Sequence, residues 1–89
     1  MRAFDERVDL CEAMLREWLD AHGETVTPDD CVCERIAAAL CGSHDRTYLA
    51  QRVRDGLSVP RYRTTGTRRF FRIRDIAIWL ELGYDDCGL

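Results

Sequence analysis

Between Arg61 and Arg74 the chain reads Arg-Tyr-Arg-Thr-Thr-Gly-Thr-Arg-Arg-Phe-Phe-Arg-Ile-Arg, six arginines without an acid. Guanidinium groups at that density cannot share a core, so the stretch must lie at the surface, anchored by the few apolar side chains within it. Alternation over residues 68–73 puts Arg69, Phe71 and Ile73 on one side and Arg68, Phe70 and Arg72 on the other. Pro60 opens an extended segment before it, and Thr64-Thr-Gly-Thr67 reads as the turn between the two. A β-hairpin is expected, with one phenylalanine buried and the other, Phe70, near the surface.

The hairpin is the positive centre of an acidic protein. The 89 residues carry a net charge of -3, but residues 1–45 carry -7, residues 46–74 carry +8 and residues 75–89 carry -4. Charge segregated in this way points to a local meeting with a polyanion, and nucleic acid is the first candidate. Every basic residue is arginine. A GC-rich genome would produce that bias by itself, so the clustering carries the argument and the composition does not.

The rest of the chain reads as helices separated by glycine. Phe4, Val8, Cys11, Met14, Leu15, Trp18 and Leu19 fall on one stripe at helical spacing, which predicts an amphipathic helix over 4–21 closed by His22-Gly23. Thr27-Pro-Asp-Asp30 has the chemistry of a helix start and predicts a second helix over 28–40, with Val32 or Cys33, Ile36, Ala37 and Leu40 inward. Cys41-Gly-Ser-His44 is turn chemistry, and Ser43 or Asp45 caps a third helix over about 45–55 that Gly56 ends. Leu49 and Val53 face its core side, with Thr47, Gln51 and Arg54 opposite them. A final helix spans Asp75 to Leu82 with Gly83 as its stop. It is apolar on more than one side and needs two covers, the second being the N-terminal helix, for which a dimer or partner surface is the other use.

The fold class expected is therefore mainly α with a small β-hairpin wing: a winged helix-turn-helix with an extra N-terminal amphipathic helix. Residues 1–26 form that helix and its link, residues 27–83 the DNA-binding domain, and residues 84–89 a short acidic tail.

Length and chemistry narrow the function. One small domain leaves little room for an enzyme cleft, and no spacing of Ser, His or acid assembles a nucleophile with a base, so no catalytic residues and no cofactor are expected. Cys31, Cys33, Cys41 and His44 cluster in the sequence, but on a helix residues two apart point about 200° from each other. No metal site is expected on that geometry, and the cysteines read as core fillers. The N-terminus turns acidic at once, and no apolar run approaches the roughly 18 residues of a membrane span. The expectation is a reduced, cytoplasmic, nucleoid-associated bacterial protein without a membrane partner.

The ordered set Ile36-Ala-Ala-Ala-Leu40, Tyr48-Leu-Ala-Gln-Arg-Val-Arg-Asp-Gly56, Pro60, Gly66-Thr-Arg-Arg-Phe-Phe-Arg72 and Asp75-Ile-Ala-Ile-Trp-Leu80 resembles the winged helix-turn-helix of phage excisionases and MerR-type regulators. The likeness covers about residues 27–83. It implies that Ser43, His44, Arg46, Thr47, Gln51 and Arg54 lie on or beside the helix entering the major groove. It also implies that Arg61, Arg63, Thr65, Arg68, Arg69 and Arg72 form a wing tracking phosphates into the minor groove. Two departures stand out: the link Leu57-Ser-Val-Pro60 is longer than the family's, and the turn before the recognition helix carries an extra residue. MerR-type regulators continue into a long dimerisation helix, whereas this sequence ends at Leu89, which favours the excisionase side. The resemblance then implies a recombination directionality factor that bends attachment-site DNA, self-associates on it and works with an integrase. The alternatives are a small MerR-like transcriptional regulator, the DNA-binding domain of a terminase small subunit, or a phage-type inhibitor that turns its acidic surfaces on a basic protein.

Overall fold

The structure is a computed structural model that describes residues 3–86. The N-terminal helix forms where its apolar stripe predicts, as α1 over Phe4–Ala21. Val8, Leu15 and Leu19 are its buried positions, while Met14 of the same stripe turns out to be 69% exposed.

The second expected helix is corrected in its first half. Thr27 to Asp30 does not start a helix: Asp30 takes a positive φ of 62°, and Thr27 closes a loop by donating N–H to the Cys31 carbonyl at 2.9 Å. Its Oγ1 accepts the Cys31 N–H at 3.0 Å. The chain leaves this loop as a strand, β1, Cys31–Cys33, and only then enters α2, Glu34–Leu40. A hydroxyl followed by proline and two acids suits a tight loop as well as a helix cap. The unpaired edge of the arginine hairpin decides between them by offering β1 a ladder.

That hairpin consists of β2, Tyr62–Thr65, and β3, Arg68–Arg72, joined through Gly66-Thr67. The sheet is antiparallel in the order β1-β3-β2, with Val32 and Tyr62 both opposite Phe71. Phe71 and Val32 are wholly buried, and the Tyr62 ring lies 5.3 Å from that of Phe71. The expected alternation along β3 therefore holds. Phe71 faces the core, and Phe70 lies on the other face, half-buried.

The third helix, α3, covers Tyr48–Arg54, shorter than expected: residues 45–47 form a turn ahead of it, Thr47 and not Ser43 or Asp45 stands at the N-cap, and no side chain caps the helix. Leu49 is fully buried. The ends of α2 and α3 share one device. At Gly42 (φ 86°) and Gly56 (φ 71°) the chain turns left-handed, so that Ser43 N–H reaches the Ala38 carbonyl at 3.1 Å and Leu57 N–H the Arg52 carbonyl at 2.9 Å. Residues with a Cβ resist that conformation, which is why glycine marks both ends.

The last helix, α4, runs over Ile73–Asp86, and two expectations change here. It begins at Ile73, whose N–H bonds the Asp30 carbonyl at 2.9 Å. It also passes through Gly83 without stopping, so residues 84–86 of the expected tail are helical, and 87–89 lie outside the described residues. A glycine costs a helix only about 1 kcal/mol relative to alanine, and it ends one only where the chain turns left-handed.

The N-terminal helix docks on the final one, with Arg7 of α1 3.8 Å from Glu81 and Arg74 at 2.9 Å from both Asp9 and Glu12. These pairings run the two helices antiparallel. Val8, Leu15, Leu19, Ile36, Ala37, Leu49, Phe71, Ile73, Ile76 and Ala77 belong to one buried core. The described residues thus form a small compact α/β domain of four helices and a three-stranded antiparallel sheet. No described helix is long and apolar enough to cross a membrane.

Candidate nucleic-acid interface

The outward side of α3 is polar, as its spacing predicts. Thr47, Gln51 and Arg54 are exposed, as are His44 and Arg46 in the preceding turn, and Ser43 is half-buried. Their hydrogen bonds centre on an acid that sequence reasoning assigned only to capping. Asp45 Oδ1 accepts from Thr47 N–H at 2.9 Å and from Thr47 Oγ1 at 2.6 Å. Gln51 Nε2 donates to Asp45 Oδ2 at 3.2 Å and to Thr47 Oγ1 at 2.7 Å. The Thr47 side chain and backbone together hold the Asp45 carboxyl below the usual carboxylate range. Thr47, at the start of α3, and Gln51 within it therefore face outward, but their donors are already engaged, and any acceptor from outside would have to displace Asp45 to receive them. Arg54 is 3.7 Å from its neighbour Asp55. Arg52 acts structurally, since its Nε donates to the Ser58 carbonyl at 2.7 Å and its guanidinium lies 5.5 Å from the Trp79 ring centre.

The hairpin arginines divide into two groups according to the face of the sheet and the acids within reach. Alternation puts Arg63, Thr65, Arg68, Phe70 and Arg72 on the outer face, with Arg61 at its margin. Arg63 is held there by Asp29 through Nε–Oδ2 at 2.9 Å and Nη2–Oδ1 at 3.3 Å. It also donates to Thr65 Oγ1 at 2.7 Å and lies 4.8 Å above the Phe70 ring centre. The Arg63 guanidinium, followed by the Thr27 hydroxyl, holds the Asp29 carboxyl well below the usual carboxylate range. Arg69, on the core side of β3, pairs with Glu34 at 2.9 Å. Arg46, Arg61, Arg68 and Arg72 are exposed and, among the described residues, form no ion pair or side-chain hydrogen bond. Arg61, Arg63 and Arg72 line a cleft of about 120 Å³ with Cys31, Phe70 and Asp75, room for about four water molecules.

The site residues expected from sequence are thus all at or near the surface, but not equivalent. Asp29 and Glu34 as partners of Arg63 and Arg69 went unrecognised, because 34 and 35 residues separate the members of each pair. Only the pairing of β1 with the hairpin brings them together.

The cysteine geometry is also corrected. Cys31 and Cys33 lie on a strand, where residues two apart share a face, so the helical argument against a common ligand does not apply. Among the described residues no group of three or more His, Cys, Asp or Glu side chains comes together to hold a metal ion. Burial pushes the Cys41 thiol up to about 11, and burial beside Glu81 raises that of Cys11. These thiols are protonated apolar fillers near neutral pH.

Comparison with known protein families, with curated proteins and with solved structures returns no match.

Proposed function

We propose that the protein binds double-stranded DNA as a winged helix-turn-helix, with α2 and α3 as the two helices and the β2–β3 hairpin as the wing. The observation that carries the proposal is the division among the arginines. Several are neutralised by acids of the same chain, yet Arg61, Arg68 and Arg72 of the hairpin and Arg46 before α3 stay exposed and, among the described residues, without an ion pair. Exposed charge of one sign held on a rigid sheet suits a repeating anion, and arginine suits phosphate and guanine edges. In this reading α3 enters the major groove with Arg46 and Arg54 leading, while Thr47 and Gln51 follow once released from Asp45. The hairpin grips the backbone.

Within that class we favour an architectural role of the excisionase type, a binding protein rather than an enzyme. Several copies would bend an attachment site for a partner integrase. A fluorescence-anisotropy titration of labelled duplex against salt tests DNA binding, and footprinting on a candidate attachment site tests the role. Replacing Arg61, Arg68 and Arg72 together with alanine should reduce the magnitude of the log–log salt slope by about 2.7, at roughly 0.9 per phosphate contact. No duplex binding at low salt, or an unchanged slope in the folded triple variant, would show the reading to be wrong.

A further inference from the structure

The outward side of α1 is incompletely covered. Leu10 and Met14, one helical turn apart, are 46% and 69% exposed. They edge a groove of about 560 Å³ whose other walls include Leu15, Leu40, Cys41 and Leu80. The groove is within the size range of ligand sites, but it is open and lies along a helix, a shape suited to side chains from a second helix. Its surroundings are acidic. Glu6 lies one turn before Leu10, while Glu17 and Asp20 continue the same ridge beyond Met14. All three are exposed, and among the described residues none forms an ion pair. The charged residues of the lining itself, Arg7 and Glu81, lie 3.8 Å apart as an ion pair, so the acidity comes from the ridge. The arginines of α1 leave the charge of Glu6, Glu17 and Asp20 standing, because Arg7 lies against Glu81 and Arg16 against Glu12.

We propose that this face is a docking site for a basic amphipathic helix of another protein. Apolar residues spaced i, i+3 or i+4 on that helix would enter the groove beside Leu10 and Met14, and lysine or arginine on its flanks would meet Glu6, Glu17 and Asp20. A second copy docking through the same face would set the acidic ridges against each other, which disfavours it. An anionic membrane is disfavoured by the same charge. The proposal uses none of the residues assigned to DNA and stands or falls separately from that reading.

The test uses the full chain and a labelled 18-residue helical peptide with leucines at i, i+3 and i+4 spacing flanked by lysine and arginine. A control peptide keeps the leucines and carries glutamate on its flanks. The basic peptide should bind saturably, with NMR shift changes centred on residues 6–20 and 80–81, and the acidic control should not. Leu10→Gln with Met14→Gln should weaken binding about 30-fold, the burial of two partly exposed apolar side chains being lost. Glu6→Gln with Glu17→Gln should weaken it about 5-fold at low salt and less at high salt. Both pairs lie on the surface, and an unchanged melting curve checks that each variant is folded. The proposal is overturned by absence of saturable binding, by binding indifferent to Leu10 and Met14, or by self-association that the Leu10/Met14 variant abolishes.

Discussion

Asp29→Ala should strengthen the binding of DNA. In the folded protein Asp29 occupies the Arg63 guanidinium with both carboxylate oxygens, at 2.9 and 3.3 Å, in the bidentate arrangement that a phosphate would use. The two carry opposite charge, so the pair adds nothing net to the outer face of the sheet, and DNA must displace the carboxylate to gain one contact. Removing the acid gives the face one further available cation. Counterion release values one added phosphate contact at a log–log slope of about 0.9. Extrapolated from 1 M salt, that corresponds to about 15-fold tighter binding at 50 mM and about 4-fold at 200 mM. The assay is anisotropy of a labelled duplex of arbitrary sequence across that salt range, with wild type and variant side by side. The Asp29 carboxyl is exposed and its Thr27 contact is local, so the variant should remain folded, which circular dichroism checks. Unchanged or weaker binding by folded Asp29→Ala, with no steeper salt dependence, would refute the idea that this acid competes with phosphate for Arg63.

Other perturbations reach the core and the thiols. Phe71→Ala removes the fully buried ring on which all three strands converge and should cost about 3–5 kcal/mol, read from urea unfolding at constant m-value. Phe70→Ala, on the half-buried outer face, should cost clearly less in the same assay. The Cys41 thiol is raised from 9.0 to about 11 in the folded state, so between those values the unfolded chain has lost a proton that the folded one keeps. Stability should therefore be fully present below pH 9 and fall as pH rises toward about 11, with Cys41→Ala flattening that part of the profile. At pH 8 the Cys41 thiol should alkylate more slowly than it does in urea, followed by mass spectrometry of the labelled peptide.

Much of the framework was legible because it rests on local chemistry. The stripe from Phe4 to Leu19, the glycines at 42 and 56, and the alternation from Arg68 to Arg72 each act within a few residues, and each held apart from Met14, which faces out. Two local signals misled. Thr27-Pro-Asp-Asp30 satisfies loop and cap equally well, so the choice fell to a ladder formed with residues some forty positions away. Gly83 permits a helix end without requiring one. At the candidate interface, sequence spacing put the polar residues of α3 outward, but it could not reveal that Asp45 turns the side chains of Thr47 and Gln51 toward each other.

From the sequence alone it follows that a surface hairpin occupies most of the Arg61 to Arg74 segment, since its charge density bars it from a core and its period of two matches a strand, although the structure ends the hairpin at Arg72. The state of each guanidinium depends on the tertiary structure. Arg63, Arg69 and Arg74 belong to the same basic run as Arg61, Arg68 and Arg72, yet the first three meet Asp29, Glu34 and the Asp9/Glu12 pair while the others meet no acid among the described residues. Charge is a property of the residue and can be counted along the chain. Whether that charge remains available depends on acids brought within about 4 Å through the packing of α1 on α4 and of β1 on β3.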